Sequence, residues 1–181
     1  KKAFNNSIDK LKRAGARVSE ISVPSVDEAM DLTGLLYSPE AYATWKDKIE
    51  KSPDLMFAKI LERFRSGANV LATDFICAWN KLIDLRHQYY SAVQSYDAVL
   101  VPTSPIMPPE VSRLMTDGGF YNSQNLLALR NTRIGNLMGG CSITLPTDIP
   151  SCGFLVMGLP NQDERLLRLA QACELVLSTN R

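Results

Sequence analysis

The feature that most constrains the fold is a long amphipathic stretch in the middle of the chain. Phe75, Ala78, Trp79, Leu82, Leu85, Tyr89 and Val93 recur every three or four residues. That spacing predicts a helix of many turns, beginning near Asn69, with one apolar stripe that must be covered by another layer. "YDAVLVPTSPIMPP" follows it. Its run Ala98 to Val101 is continuously apolar, which predicts a strand buried on both faces. Pro102, Pro105, Pro108 and Pro109 then forbid further ladder pairing and predict a stiff loop. A long helix feeding a buried strand points to an α/β architecture.

The flanking segments fit that class. Phe4, Ile8 and Leu11 share one helix face, Gly15 is placed to end that helix, and "ARVSEISVP" predicts a strand over about Arg17 to Val23. Residues 25 to 66 predict two or three helices. Ser25 with Glu28 forms a capping-box pattern, and Pro39 and Pro53 are expected near helix starts. "RSGAN" at 65 to 69 reads as a break and "TDGG" at 116 to 119 as a flexible loop. A helix opened by Ser123 or Asn125 is expected to reach Met138, with Gly139 and Gly140 letting it end and turn tightly. Strands are predicted at Cys141 to Leu145 and Phe154 to Met157. Asn161 and Glu164 are expected to cap a last helix with the buried stripe Leu166, Leu169/Ala170, Cys173 and Val176/Leu177. The result is an α/β chain: a mixed β-sheet of four or five strands flanked by about six helices. Residues 1–181 are taken as a single segment with no internal boundary.

Composition removes several functions. Twenty basic and 19 acidic residues leave a formal charge of +1 without a like-charge run, so nucleic-acid binding has no electrostatic footprint. No apolar stretch is long enough for a membrane span, so no membrane partner is expected. Cys77, Cys141, Cys152 and Cys173 form no C-x-x-C pair and the chain has one histidine, so no metal site and no cofactor is expected. Four reduced cysteines point to a cytoplasmic location. The first residues, Lys1-Lys2-Ala3-Phe4, lie within a helix pattern, which suggests an upstream segment that was cut away.

Catalytic residues are not evident. His87 sits inside the long helix with Asp84 one turn before it, the arrangement of an ordinary surface pair. Gly139-Gly140-Cys141-Ser142 lacks the nucleophile-elbow pattern. The lysines fall on amphipathic stretches, where nothing local would desolvate one. Two groups remain as candidate substrate-binding residues. Thr103 and Ser104 follow the C-terminal end of the buried strand, the edge at which open α/β sheets bind ligands; the alternative is a pair of turn hydroxyls. Arg130, Asn131, Thr132 and Arg133 cluster near the end of the helix leading into the sheet. They either line a polar-ligand pocket or cap the helix and face solvent.

Taken in order, the segments resemble the C-terminal part of amidase signature family proteins. Tyr96 to Pro105 is similar to the family's "YDALLTPT-P". Asn136-Leu137-Met138-Gly139 and Cys141 to Pro146 are similar to its Asn-Leu-x-Gly and "AISLP" segments. Gly153 to Gly158 and Asp163 to Glu174 are similar to its "PVGLQLIG" strand and "DEATLLRLAAAFE" helix, and "GARVSEISVP" to its "LGAEVVEVDLP". The resemblance implies hydrolysis of a non-peptide carboxamide C–N bond by a Ser–cis-Ser–Lys triad. One serine attacks, the second relays a proton, lysine is the base, and backbone N–H groups hold the oxyanion. No glycine-serine-rich stretch of that kind occurs here, so no catalytic residue is assigned. The implied partners are the upstream N-terminal part of the same fold and a small-molecule amide, and the chain alone is expected to be inactive and to self-associate as a homo-oligomer. Three positions depart from the family pattern: the usual proline is missing from Gly139 to Thr144, Thr147 replaces a glycine, and Leu129 stands where some glutaminyl-amide members carry an acidic substrate ligand. The last leans towards an ordinary amidase rather than the amidase-like part of a glutamine-dependent amidotransferase. A self-contained, non-catalytic binding domain is the remaining alternative.

Overall fold

The computed structural model describes residues 1–178. The chain divides into two compact units: Lys1–Ser22 together with the chain from Tyr90 onward, and Val23–Tyr89. Helix α1 (Lys2–Arg13) opens the first unit. The second holds α2 (Pro24–Asp31), α3 (Thr33–Lys51), α4 (Ala58–Arg65) and most of α5 (Ala72–Val93), with 3-10 turns at Pro53–Leu55 and Ser66–Asn69. The first unit then resumes with β1 (Val99–Pro102), α6 (Val111–Thr116), α7 (Gly118–Ala128), α8 (Arg130–Met138), β2 (Ser142–Pro146), β3 (Gly153–Met157) and α9 (Asp163–Ser178).

In the first unit the three described strands form one sheet in the order β1-β3-β2, with both ladders antiparallel. Phe154 to Met157 are all buried, as a central strand requires, whereas β2 alternates exposed Ser142 and Thr144 with Ile143 and Leu145. Leu145, Phe154 and Val156 share one face with Leu11 and with Leu166, Ala170, Cys173 and Leu177 of α9. Each buried Leu, Val or Phe among them contributes about 1.5–3 kcal/mol on burial. Phe4 stacks on Phe154 at 5.3 Å between centroids, and Lys10 Nζ donates to the Leu177 carbonyl at 3.1 Å, so α1 is fixed to both β3 and α9. On the other face the backbone of α8 approaches β2: a side chain at Gly135 would meet Ser142 Oγ at 3.3 Å. The Tyr90 hydroxyl donates to the Met138 carbonyl at the C-terminal end of that helix.

The second unit is built of helices and 3-10 turns, with no strand among its described residues. Gly67 passes so close to α3 that a Cβ there would stand 2.1 Å from the Ser38 carbonyl oxygen. Arg65 and Glu50 join α4 to α3 through two hydrogen bonds of 2.9 and 2.7 Å.

The structure meets the α/β expectation and revises several details. Residues 17–23 form no strand, because no described strand lies hydrogen-bonded beside them. Pro24 instead opens α2, so Ser25 lies inside the helix, buried and without a side-chain cap bond; the capping box does not form. Pro39 is interior to α3, while Pro53 does begin a turn. The long helix starts at Ala72 rather than near Asn69, which belongs to a 3-10 turn. β1 is a half-buried edge strand, not one covered on both faces. "TDGG" is no loose loop: Asp117 accepts from Phe120 N at 2.9 Å and caps α7, whose first residues are Gly118 and Gly119. Asn161 adopts a left-handed φ of 59° and is not the cap of α9, which starts at Asp163. Gly139, with φ of 66°, ends α8 as expected.

Candidate functional site

The candidate residues are organised around the C-terminal end of β1. Pro102 is the last residue of β1 and carries no N–H. Its carbonyl accepts from Asn131 Nδ2 at 2.7 Å, which ties the start of α8 to the strand end. The next residue, Thr103, still belongs to the ladder: its N–H donates to the Gly153 carbonyl at 3.0 Å. Its Oγ1 lies 3.2 Å from Oγ1 of Thr144 on β2, across the middle strand. Those two hydroxyls can meet only because residue 153 has no side chain. A Cβ there would stand 2.4 Å from Thr103 Oγ1 and 2.7 Å from Thr144 Cγ2. All three strands thus converge on one polar corner.

The remaining predicted residues are used differently. Ser104 Oγ accepts from Ile106 N at 3.4 Å, the short-range contact of a turn hydroxyl. Thr132 Oγ1 donates to the Leu129 carbonyl at 3.2 Å. Arg130 is exposed on the first turn of α8, and Arg133, three residues on, is half-buried. The cluster therefore sits at the N-terminal end of a helix, contrary to the expectation of a C-terminal one. The expected single helix is split at Leu129 (φ −93°, ψ 0°), and Arg130 begins a new one. The positive end of the helix dipole disfavours cations here, so helix capping no longer accounts for the arginines.

Sequence alone does not single out Thr144 and Gly153. The signal for Thr144 is its alternation with Ile143 and Leu145, which places it on the polar face of β2. Gly153 carries no signal beyond being a glycine at a strand start. Among the described residues no group of three or more His, Cys, Asp or Glu could hold a metal ion. Among them, too, no helix is long and apolar enough to cross a membrane. All four cysteines are free thiols, with Cys77 exposed rather than packed, and burial pushes the Cys173 thiol up from its ordinary pKa.

A sequence profile of the Amidase family matches residues 1–167. The chain belongs to the amidase family. It is 26% identical over 181 residues to 2-amino-5-chloromuconic acid deaminase of Comamonas testosteroni, covering 97% of this chain and 39% of that protein. It is 25% identical over 202 residues to a glutamyl-tRNA(Gln) amidotransferase subunit of Clostridium acetobutylicum, covering 96% of this chain and 41% of that one. The solved structure of an amidase superposes with a TM-score of 0.81 at 21% identity, over 98% of this chain and 42% of its own. The fold is that of the amidase signature enzymes, and the chain spans about two-fifths of these relatives.

Proposed function

We propose that this chain is a single C-terminal segment of an amidase domain that hydrolyses a small-molecule carboxamide. In this reading the serine nucleophile and its lysine base lie in the part of the fold that precedes Lys1. The observation that carries it is the pairing of a family match over residues 1–167 with coverage of only 39% of a full relative. The chain then supplies sheet, flanking helices and one wall of the substrate pocket. The wall is the corner at the end of β1. Thr103 presents a hydroxyl beside Thr144, with Ser104 in the turn that follows. Asn131 commits its amide nitrogen to Pro102, which ties the first turn of α8, the turn that carries Arg130, Thr132 and Arg133, to the end of β1. The two arginines suit a substrate whose amide is accompanied by a carboxylate. Free cysteines support a reducing, cytoplasm-like setting.

The test is labelling with a fluorophosphonate serine-hydrolase probe, on this chain and on the full-length protein in parallel. Labelling of the full-length protein alone is the expected result. Stoichiometric labelling of the 181-residue chain overturns the assignment of the nucleophile. A second reading, part of a glutamine-dependent amidotransferase, draws on the similarity to the Clostridium protein. Leu129, at the position of an acidic substrate ligand in some such members, weighs against it. Glutaminase activity of the full-length protein at rates matching other amides would favour that second reading.

A further inference from the structure

Two sulfurs meet where the loop that leaves β1 touches the turn that leads into β3. Cys152 Sγ donates to Met107 Sδ at 3.6 Å, although the residues are 45 apart in sequence. The contact closes a small ring of chain. Thr103 N donates to the Gly153 carbonyl at 3.0 Å at one end of the ring, and the sulfur pair closes the other. Ser104, with its bond from Ile106 N, lies between them. Met107 is thus the outer fastening of the loop that starts at the hydroxyl corner.

The two sides of this contact are not held equally. Oγ1 of the buried Thr147 accepts from Ile149 N at 3.2 Å and donates to the Cys152 carbonyl at 2.7 Å. Cys152 N donates in turn to the Ile149 carbonyl at 3.2 Å. Both backbone groups of Cys152 are therefore fixed inside their own turn. Met107 is 57% exposed, and its unbranched thioether chain turns about three bonds. A hollow of about 330 Å³ lies against the same turn, with Asp148, Ser151 and Cys152 in its lining. The other thiols are placed differently: Cys141 Sγ donates to the Leu159 carbonyl at 3.2 Å, Cys173 is buried, and Cys77 is exposed on α5.

We propose that Cys152 is a thiolation site for a small, cationic disulfide, and that the adduct unfastens the 103–110 loop. The Cys152 thiolate attacks one sulfur of the incoming disulfide. A new S–S bond forms as the old one breaks, so Cys152 is oxidised. The other half departs reduced, as a thiol carrying the proton that Cys152 gave up. The added sulfur takes the place of the thiol hydrogen, which is directed at Met107 Sδ. A separation of 3.6 Å is van der Waals contact for two sulfurs and leaves no room for a third. The Cys152 backbone is held, so Met107 gives way. The hollow takes the remainder of the adduct, and the Asp148 carboxylate in its lining suits an ammonium group. A reducing thiol reverses the exchange and restores the contact. Control of the pocket by this site rests on the reading of the hydroxyl corner as a substrate wall.

Treatment of the full-length protein with cystamine tests it, read by mass spectrometry and by NMR of methyl-labelled methionines. One cysteamine is expected on Cys152, removed by dithiothreitol. The Met107 methyl signal is expected to move on modification, while that of Met30 on α2 stays. KM for the hydrolysed amide is expected to rise severalfold. Cys152→Ser is expected to keep the unmodified KM and to be indifferent to cystamine. No adduct at Cys152, or an adduct beside an unmoved Met107 signal, overturns the proposal. So does an adduct that leaves KM unchanged, or a KM change that survives Cys152→Ser and traces to exposed Cys77. Fluorophosphonate labelling of the same sample separates the two ideas. A labelled protein without the adduct loses the thiolation site but keeps the amidase reading. An unlabelled protein with the adduct and a shifted Met107 signal does the reverse.

Discussion

The two faces of one small sheet differ sharply in what they are for. The face under α1 and α9 is apolar: Phe154, Val156, Leu145, Leu11 and the α9 stripe fill it, and burial there pushes the Cys173 thiol up from its ordinary pKa. The opposite face ends in hydroxyls, where Thr103 and Thr144 meet over Gly153 and Asn131 holds the strand end. The first face fixes position; in the proposed function the second offers donors and acceptors to a ligand. Substitutions on the apolar face should therefore act on stability. Those at the hydroxyl corner should cost less stability and, in the proposed function, also alter the pocket.

The largest effect is expected from Phe154→Ala, which removes a fully buried ring and its stacking on Phe4. Chemical denaturation should report a loss of about 3–5 kcal/mol. A loss below about 1 kcal/mol would break the division between the faces. Next comes Gly153→Ala, whose methyl collides with Thr103 and Thr144. It should cost about 1–3 kcal/mol. Most of that should return when Thr103→Ala is added; without that rescue, the strain lies elsewhere. Asn131→Ala should cost only about 1 kcal/mol. In the full-length protein it should raise KM more than it lowers kcat, and an unchanged KM would remove Asn131 from the pocket wall.

The smallest effect is a pH dependence on the apolar face. Burial raises the folded pKa of Cys173 above the ordinary value of 9.0, so its contribution is fully present below that value. It is lost as the pH climbs from there towards the folded pKa, because only the unfolded chain then releases the proton. Cys173→Ala should flatten the alkaline limb of a stability–pH profile, and an unchanged slope would trace that limb to another group.

Much of this arrangement was legible in residue order. The α9 stripe and the lower turns of α5 follow a helical period, and β2 and β3 are apolar where the face under α1 and α9 needs them. What could not be read depends on distant partners. Residues 17–23 have strand composition, but a strand exists only beside another. The break at Leu129 was hidden because leucine is a good helix former and the apolar period runs on through Leu137. The Asn131–Pro102 contact there joins residues 29 apart in sequence. The capping box at Ser25 failed for a related reason: Pro24 took the first helical position and moved the boundary.

The close crossing of Gly140 and Gly158 has a further consequence. A Cβ at Gly140 would stand 2.5 Å from the Gly158 carbonyl oxygen, and Gly158 N donates to the Cys141 carbonyl at 2.9 Å. The chain entering β2 and the chain leaving β3 are in effect stapled there. Length changes during divergence should be excluded from residues 139–141 and 157–159. They should collect instead in the 147–152 turn and the proline-rich 103–110 loop, where extra residues can extend into solvent. Relatives of different substrate range are then expected to differ in the reach of those two loops, over an unaltered crossing.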